Sequence, residues 1–309
     1  GKGARKTIAV IPKGTTHVFW QSVHAGAVKA GQELGVDVVW VGTEKEDDRQ
    51  QQIALVDNQV MSGVDGIVLA PLDAVALKRP VQNAVQKGIP VIIIDSGLED
   101  AESLISSFIA TDNRMGGQIA GHEMAKNLGN KGNVAVLRYN EGSASTENRE
   151  EGFLEAIGKY PGINVVSSEQ YGGVTRATAQ QASENLLLRF KDTAGNLSID
   201  GIFAPNTSTT YGMLQALKRQ NLAGKVRFIG FDSEEPLLEG LRLGELEGLV
   251  VQDPFKMGYL GVVKIVDQLN GQKVEKRIDT GVTFIRAADL KDPRIQDLIN
   301  PDLGKWLNQ

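Results

Sequence analysis

The residues that could do chemistry sit where short apolar runs end. Asp95 follows the run 90–94, and Asp232 follows 226–231. Asn206 follows Phe203-Ala204-Pro205, and Lys13, His17, Phe19 and Trp20 follow the run 8–11. Ser96, Glu147, Arg149 and Gln252 complete the set from the same or equivalent loops. Carboxylates, amides and exposed aromatic rings gathered in this way suit a polyhydroxylated ligand. Asp and Asn hydrogen-bond to neighbouring hydroxyls, and a flat ring covers an apolar C–H face. Catalysis has much less to work with. The chain has no cysteine, and its 3 histidines, His17, His24 and His122, are too scattered for a triad or a metal cluster. G-x-S-x-G, P-loop, G-x-G-x-x-G and H-E-x-x-H motifs are missing. No enzyme activity, metal or cofactor is expected.

These loops need a scaffold that aims them at one place. Residues 8–11, 36–41, 66–70 and 90–95 read as strands, and 19–34, 49–62 and 74–87 as helices closed by Gly35, Gly63 and Gly88. Strands alternating with helices imply βαβ units and a parallel sheet. The plan then recurs. Residues 134–137 repeat 8–11 at an offset of 126, and the segment from Gly152 repeats that from Gly26 at the same offset. Asp200-Gly201-Ile202 repeats Asp65-Gly66-Ile67 at 135, and 226–232 repeats 89–95 at 137. A polar insert at 191–196 accounts for much of the drift. Ordered matches with a slowly growing offset indicate duplication. The fold class is therefore α/β, with two similar doubly wound parallel-sheet lobes. Left over are residues 253–309, with a helix at 255–269, a last strand near 278–285 and a tail rich in Asp and Pro. In open parallel sheets ligands bind at the carboxyl ends of the strands, so the site belongs in a cleft between the lobes.

Several segments now resemble the ribose-type periplasmic sugar-binding proteins, the solute receptors of ABC importers, over nearly the whole chain. Phe19-Trp20 stands where that family has a ligand-facing aromatic pair. Asp95 ends a strand as its sugar-binding Asp does. Ala110-Thr111-Asp112-Asn113, with Gly116-Gly117-Gln118-Ile119-Ala120-Gly121, is close to its most recognisable segment. Phe203-Ala204-Pro205-Asn206, Gly230-Phe231-Asp232 and Val251-Gln252-Asp253-Pro254 carry a ligand Asn, Asp and Gln. The resemblance implies a three-crossing hinge near 109–111, 252–253 and 281–282. It divides the chain into 1–109 plus 253–281 and 110–252 plus 282–309. It also implies closure on a monosaccharide or polyol, docking on a membrane permease, a monomer and a periplasmic or lipid-anchored extracellular location. The chain departs from the family where Ser96 follows Asp95 and where Glu147 replaces an arginine, with Arg149 two residues on. A cleft bearing Asp95, Glu147 and Asp232 leaves an amino sugar open as ligand.

Bulk properties agree with a two-lobed chain. Its 309 residues can bury a sizeable core, and 41% hydrophobic and 23% charged residues are ordinary for a globular protein. A net charge of −5 gives no basic signature for nucleic acid. Lac-repressor-type regulators share the two-lobe core, but they carry a helix-turn-helix first, and here the first strand begins within ten residues. Other readings stay beside the sharper ones. Asp95 and Asp232 could cap helices, Trp20 could pack in the core, Glu147 and Arg149 could pair, and 44–49 is a charged run expected to be a solvated loop.

Overall fold

A computed structural model describes residues 3–308. The chain opens with β1 (Thr7–Ile11), α1 (Val18–Leu34), β2 (Asp37–Trp40), α2 (Arg49–Met61), β3 (Gly66–Leu69), α3 (Lys78–Gln86), β4 (Val91–Ile94) and β5 (Ser107–Ala110). It continues through α4 (Asn113–Asn127), β6 (Lys131–Arg138), α5 (Ala144–Ile157), β7 (Gly162–Tyr171), α6 (Arg176–Arg189) and β8 (Gly201–Phe203). Then come α7 (Thr207–Arg219), β9 (Arg227–Phe231), α8 (Glu235–Arg242) and β10 (Gly248–Val251). The remainder forms α9 (Pro254–Leu269), β11 (Arg277–Asp279), β12 (Thr283–Ile285), a 3-10 turn (Ala287–Lys291), α10 (Pro293–Ile299) and α11 (Gly304–Leu307).

Two six-stranded sheets result, ordered β11-β5-β4-β3-β1-β2 and β12-β10-β9-β8-β6-β7. Both therefore share the 2-1-3-4-5 order of a doubly wound sheet, as the repeat requires. Every pairing is parallel except β12 on β10. Strands β1, β3, β4 and β10 are apolar along nearly their whole length because helices cover both faces. Each sheet consequently has an apolar cluster on either side. In the first lobe one joins α1 and α9, the other α2 and α3. In the second lobe one joins α4 and α5, the other α6, α7 and α8.

Helix pairs α1/α9 and α4/α5 touch backbone to backbone at glycines. A methyl at Gly26 would lie 2.0 Å from the Phe255 carbonyl oxygen, and one at Gly258 1.9 Å from that of Val23. Their counterparts are Gly117, 2.0 Å from the Arg149 oxygen, and Gly152, 2.2 Å from that of Arg114. Gly26 and Gly152 are the repeat-mates found in the sequence, so the duplication preserved a packing contact.

The chain passes between the sheets after β5, after β10 and between β11 and β12. Thr111 Oγ1 donates to the Gly281 carbonyl, which ties the first and third crossings together. The single strand expected near 278–285 is in fact two short ones, one for each sheet. The tail also needs correcting, because residues 282–309 do not lie wholly on the second lobe. Ile295, Leu298 and Ile299 pack on the second core, whereas α11 packs against α1 of the first lobe.

The glycine contact behind Arg149 makes a direct prediction. Gly117→Ala forces two backbones apart, and should cost about 1–3 kcal/mol, lowering the melting temperature by several degrees. Thermal denaturation checks this, and an unchanged melting temperature would show that the helices can separate freely.

Candidate functional site

The strand-end loops of both sheets converge on a cavity between the lobes. Lys13, His17, Phe19, Trp20 and Asp95 line it from the first lobe, and Arg149, Asn206 and Asp232 from the second. Gln252 lines it from the second crossing. Glu46, Tyr139, Ser145, Thr146 and Thr207 also line it.

Asp95 and Asp232 occupy equivalent places after β4 and β9. Each has a left-handed backbone, with φ of 67° and 76°. That conformation is costly for a residue with a Cβ, and Asp tolerates it better than most. Neither caps a helix: the N-cap of α8 is Glu234, two residues beyond Asp232, and no helix follows Asp95 until α4. Asp232 Oδ1 accepts from Gln252 Nε2 at 2.7 Å, and its Oδ2 from Thr207 Oγ1 at 2.6 Å. Asp95 Oδ2 lies 3.8 Å from Lys13 Nζ. Burial pushes the Asp95 carboxyl up against the pull of Lys13, and pushes the Lys13 amine down against the pull of Asp95. Lys13 also donates across the cleft to Ser143 Oγ at 2.9 Å and Ser145 Oγ at 3.1 Å.

Arg149 is the centre of the second lobe's half. Its Nε donates to Asn113 Oδ1, its Nη1 to the Pro205 carbonyl and its Nη2 to Gln252 Oε1, all at 2.9 Å. The guanidinium stacks 4.4 Å from the Phe231 ring. Three of its five N–H groups are thus used, and the others can meet a ligand. Asn206 Oδ1 is committed to capping α7 through Thr209 N, so its amide nitrogen is what it offers the cavity.

Two expected residues lie elsewhere. Glu147 accepts from Gly142 N at 2.8 Å and faces a separate groove. The reason is helical geometry: residues two apart point about 200° apart, so once Arg149 faces in, Glu147 faces out. They make no ion pair. Ser96 is fully buried behind the cavity, where its Oγ accepts from Ser145 N at 2.9 Å. Trp20 belongs to both of its readings. It packs in the first core and still borders the cavity, with its ring edge-on to Phe19 at 4.9 Å.

Glu46 was hidden in the charged run 44–49. It is only 6% exposed and receives Trp20 Nε1 at 2.9 Å, Tyr139 OH at 2.8 Å and His17 Nε2 at 3.2 Å. Burial alone would raise its pKa, but His17, Lys13 and the Tyr139 hydroxyl outweigh it and hold the carboxyl low. Burial likewise pulls His17 down, yet Glu46 leaves it raised. A signal for the other missed residues existed in the repeat: Tyr139, Ser145 and Thr146 stand 126 positions after Lys13, Phe19 and Trp20. Glu46, Asp95 and Asp232 share the cavity with Lys13, His17 and Arg149. Among the described residues no group of three or more His, Asp or Glu could hold a metal ion.

Glu150 supports this wall from below, accepting from Tyr139 N at 2.9 Å and Arg138 Nη1 at 3.3 Å. Burial raises its pKa from 4.5 to about 7. The unfolded carboxyl releases its proton near 4.5 and the folded one near 7, so stability falls as pH rises through that window. This group's share amounts to about 3 kcal/mol. Glu150→Gln should flatten that slope in denaturant unfolding at pH 5, 6 and 7. A slope equal to that of the parent protein would refute the assignment.

Comparison with known proteins places this geometry. A model described as a periplasmic binding protein domain matches residues 8–273. The ribose import binding protein of Haemophilus influenzae is 31% identical over 282 residues, covering 91% of this chain and 92% of that one. A solved carbohydrate transporter solute-binding protein from Agrobacterium radiobacter, in complex with D-arabinose, is 37% identical with a TM-score of 0.90, covering 97% of this chain and 100% of that one. An ABC transporter solute-binding protein from Agrobacterium vitis with bound D-fucose is 36% identical with a TM-score of 0.90, covering 95% and 99%. The chain belongs to the periplasmic binding protein domain family.

Proposed function

We propose that this chain is the solute receptor of an ABC importer and that its ligand is a single neutral sugar ring. The observation that carries the reading is the interlobe cavity lined from both lobes by paired strand-end carboxylates, with Arg149, Asn206 and Gln252 between them. Acceptors and donors balance there, as a ring of hydroxyls requires, and the Phe19 and Trp20 rings supply an apolar side. The solved relatives above bind D-arabinose and D-fucose, which both lack a hydroxyl at C6. A pentose or 6-deoxyhexose is accordingly the favoured class. The receptor binds in an open form, closes by bending at the three crossings and delivers its sugar unchanged to a membrane permease. It works as a monomer without catalysis, in the periplasm, or at the outer surface where there is no outer membrane. No structural observation favours the regulator reading.

A thermal-shift panel of D-arabinose, D-fucose, D-ribose, D-allose and glucosamine tests the ligand class. Ligand at 100 times its Kd should stabilise the folded chain by about 2.7 kcal/mol. Stabilisation by a neutral sugar supports the reading, whereas a flat panel or a preference for glucosamine overturns it. In calorimetry Asp232→Ala and Asn206→Ala should each weaken the best sugar by about tenfold to a hundredfold, since a buried partner left unpaired costs about 1–3 kcal/mol. Unchanged affinity in both variants would remove these residues from the site.

A further inference from the structure

Glu46 has a place in the fold that sugar contact alone does not explain. Its loop is braced from within, because Thr43 Oγ1 lies 2.7 Å from both the Lys13 and the Lys45 carbonyl oxygens and donates its one hydrogen to either. Gly14 gives its side chain room: a methyl there would lie 2.8 Å from Glu46 Cγ. The carboxylate is therefore delivered to one position. There it holds the Trp20 indole and His17 of its own lobe, and the Tyr139 hydroxyl of the other. Tyr139 is held in turn by Glu150 through its backbone N–H. When the lobes part, the links within the first lobe can persist, while the one to Tyr139 must break.

We propose that Glu46 and Tyr139 form a clasp that closes the lobes without help from the sugar, with Glu46 as the positioning residue that sets the Trp20 wall of the closed cavity. This rests on the proposed receptor function but makes its own claim. The clasp adds to the free energy of the closed form, so it raises the closed population before ligand arrives and slows ligand escape afterwards. Burial and the Glu46 charge keep the Tyr139 hydroxyl protonated, as a donor must be.

The chain has no cysteine, so labels can be directed to chosen places. Met61 on α2 and Leu188 on α6 lie on different lobes and are 72% and 61% exposed. Single-molecule energy transfer between dyes on Met61→Cys and Leu188→Cys then reads the closed-to-open ratio without ligand. Tyr139→Phe removes one hydroxyl and should lower that ratio about tenfold. Stopped-flow release of the best sugar from the panel should speed up by a similar factor. Glu46→Gln should loosen closure too, and adding Tyr139→Phe to it should cost less than Tyr139→Phe alone. An unchanged ratio in the Tyr139→Phe protein without ligand overturns the clasp. A parent protein that binds none of the sugars overturns the receptor reading instead, and leaves the ligand-free measurement to decide the clasp.

Discussion

Arg149 carries a permanent charge into a place that is only 2% exposed, and the architecture around the cleft depends on keeping that charge satisfied. An unpaired guanidinium there would cost several kcal/mol. Three fixed acceptors prevent this, and each comes from a different segment. Asn113 stands just after the first crossing, Gln252 in the second crossing, and Pro205 in the loop after β8. Gln252 then passes the network to Asp232, and Asp232 to Thr207. One side chain therefore ties hinge, strand ends and ligand cavity into a single hydrogen-bonded unit. Its position depends in turn on Gly117, where only a hydrogen lets α4 press against the Arg149 backbone.

Duplication explains why two halves of a site can face each other. Both sheets share one strand order, so the carboxyl ends of both carry the same loops. Each lobe places an Asp after its β4 or β9 strand, in the same left-handed conformation. The halves then diverged in chemistry. The first kept Lys13, Phe19 and Trp20 where the second has Tyr139, Ser145 and Thr146. One lobe brings the apolar surface and an amine, the other brings hydroxyls and the guanidinium.

Function in such a molecule lies in the balance between open and closed forms. Contacts within a lobe, such as the Arg149 network, serve both forms and build the site. Contacts across the cleft exist only on closure. Among them are Lys13 with Ser143 and Ser145, Ser96 with Ser145, and Glu46 with Tyr139. The tail adds a further link, since α10 lies against the second core and α11 against α1. Ligand affinity is the sum of direct hydrogen bonds and whatever these contacts contribute to closing.

The sequence by itself determined the fold class, the duplicated plan and the loops that face the cleft. Apolar runs, glycine stops and offset matches are local signals, and a parallel sheet needs nothing further to place its strand ends. Lys13, His17, Phe19, Trp20, Asp95, Arg149, Asn206, Asp232 and Gln252 were all legible as loop residues, and they line the cavity. Only the tertiary structure decided which way individual side chains turn. Glu147 and Arg149 share a loop and a helix start, yet the pitch of α5 sends one out and one in. Glu46 looks like its charged neighbours in sequence, and its burial comes from donors that arrive from Trp20, His17 and the opposite lobe. Local pattern records a residue's own propensity. A buried charge is decided by partners far away in the chain, and these become neighbours only once both lobes have folded and closed.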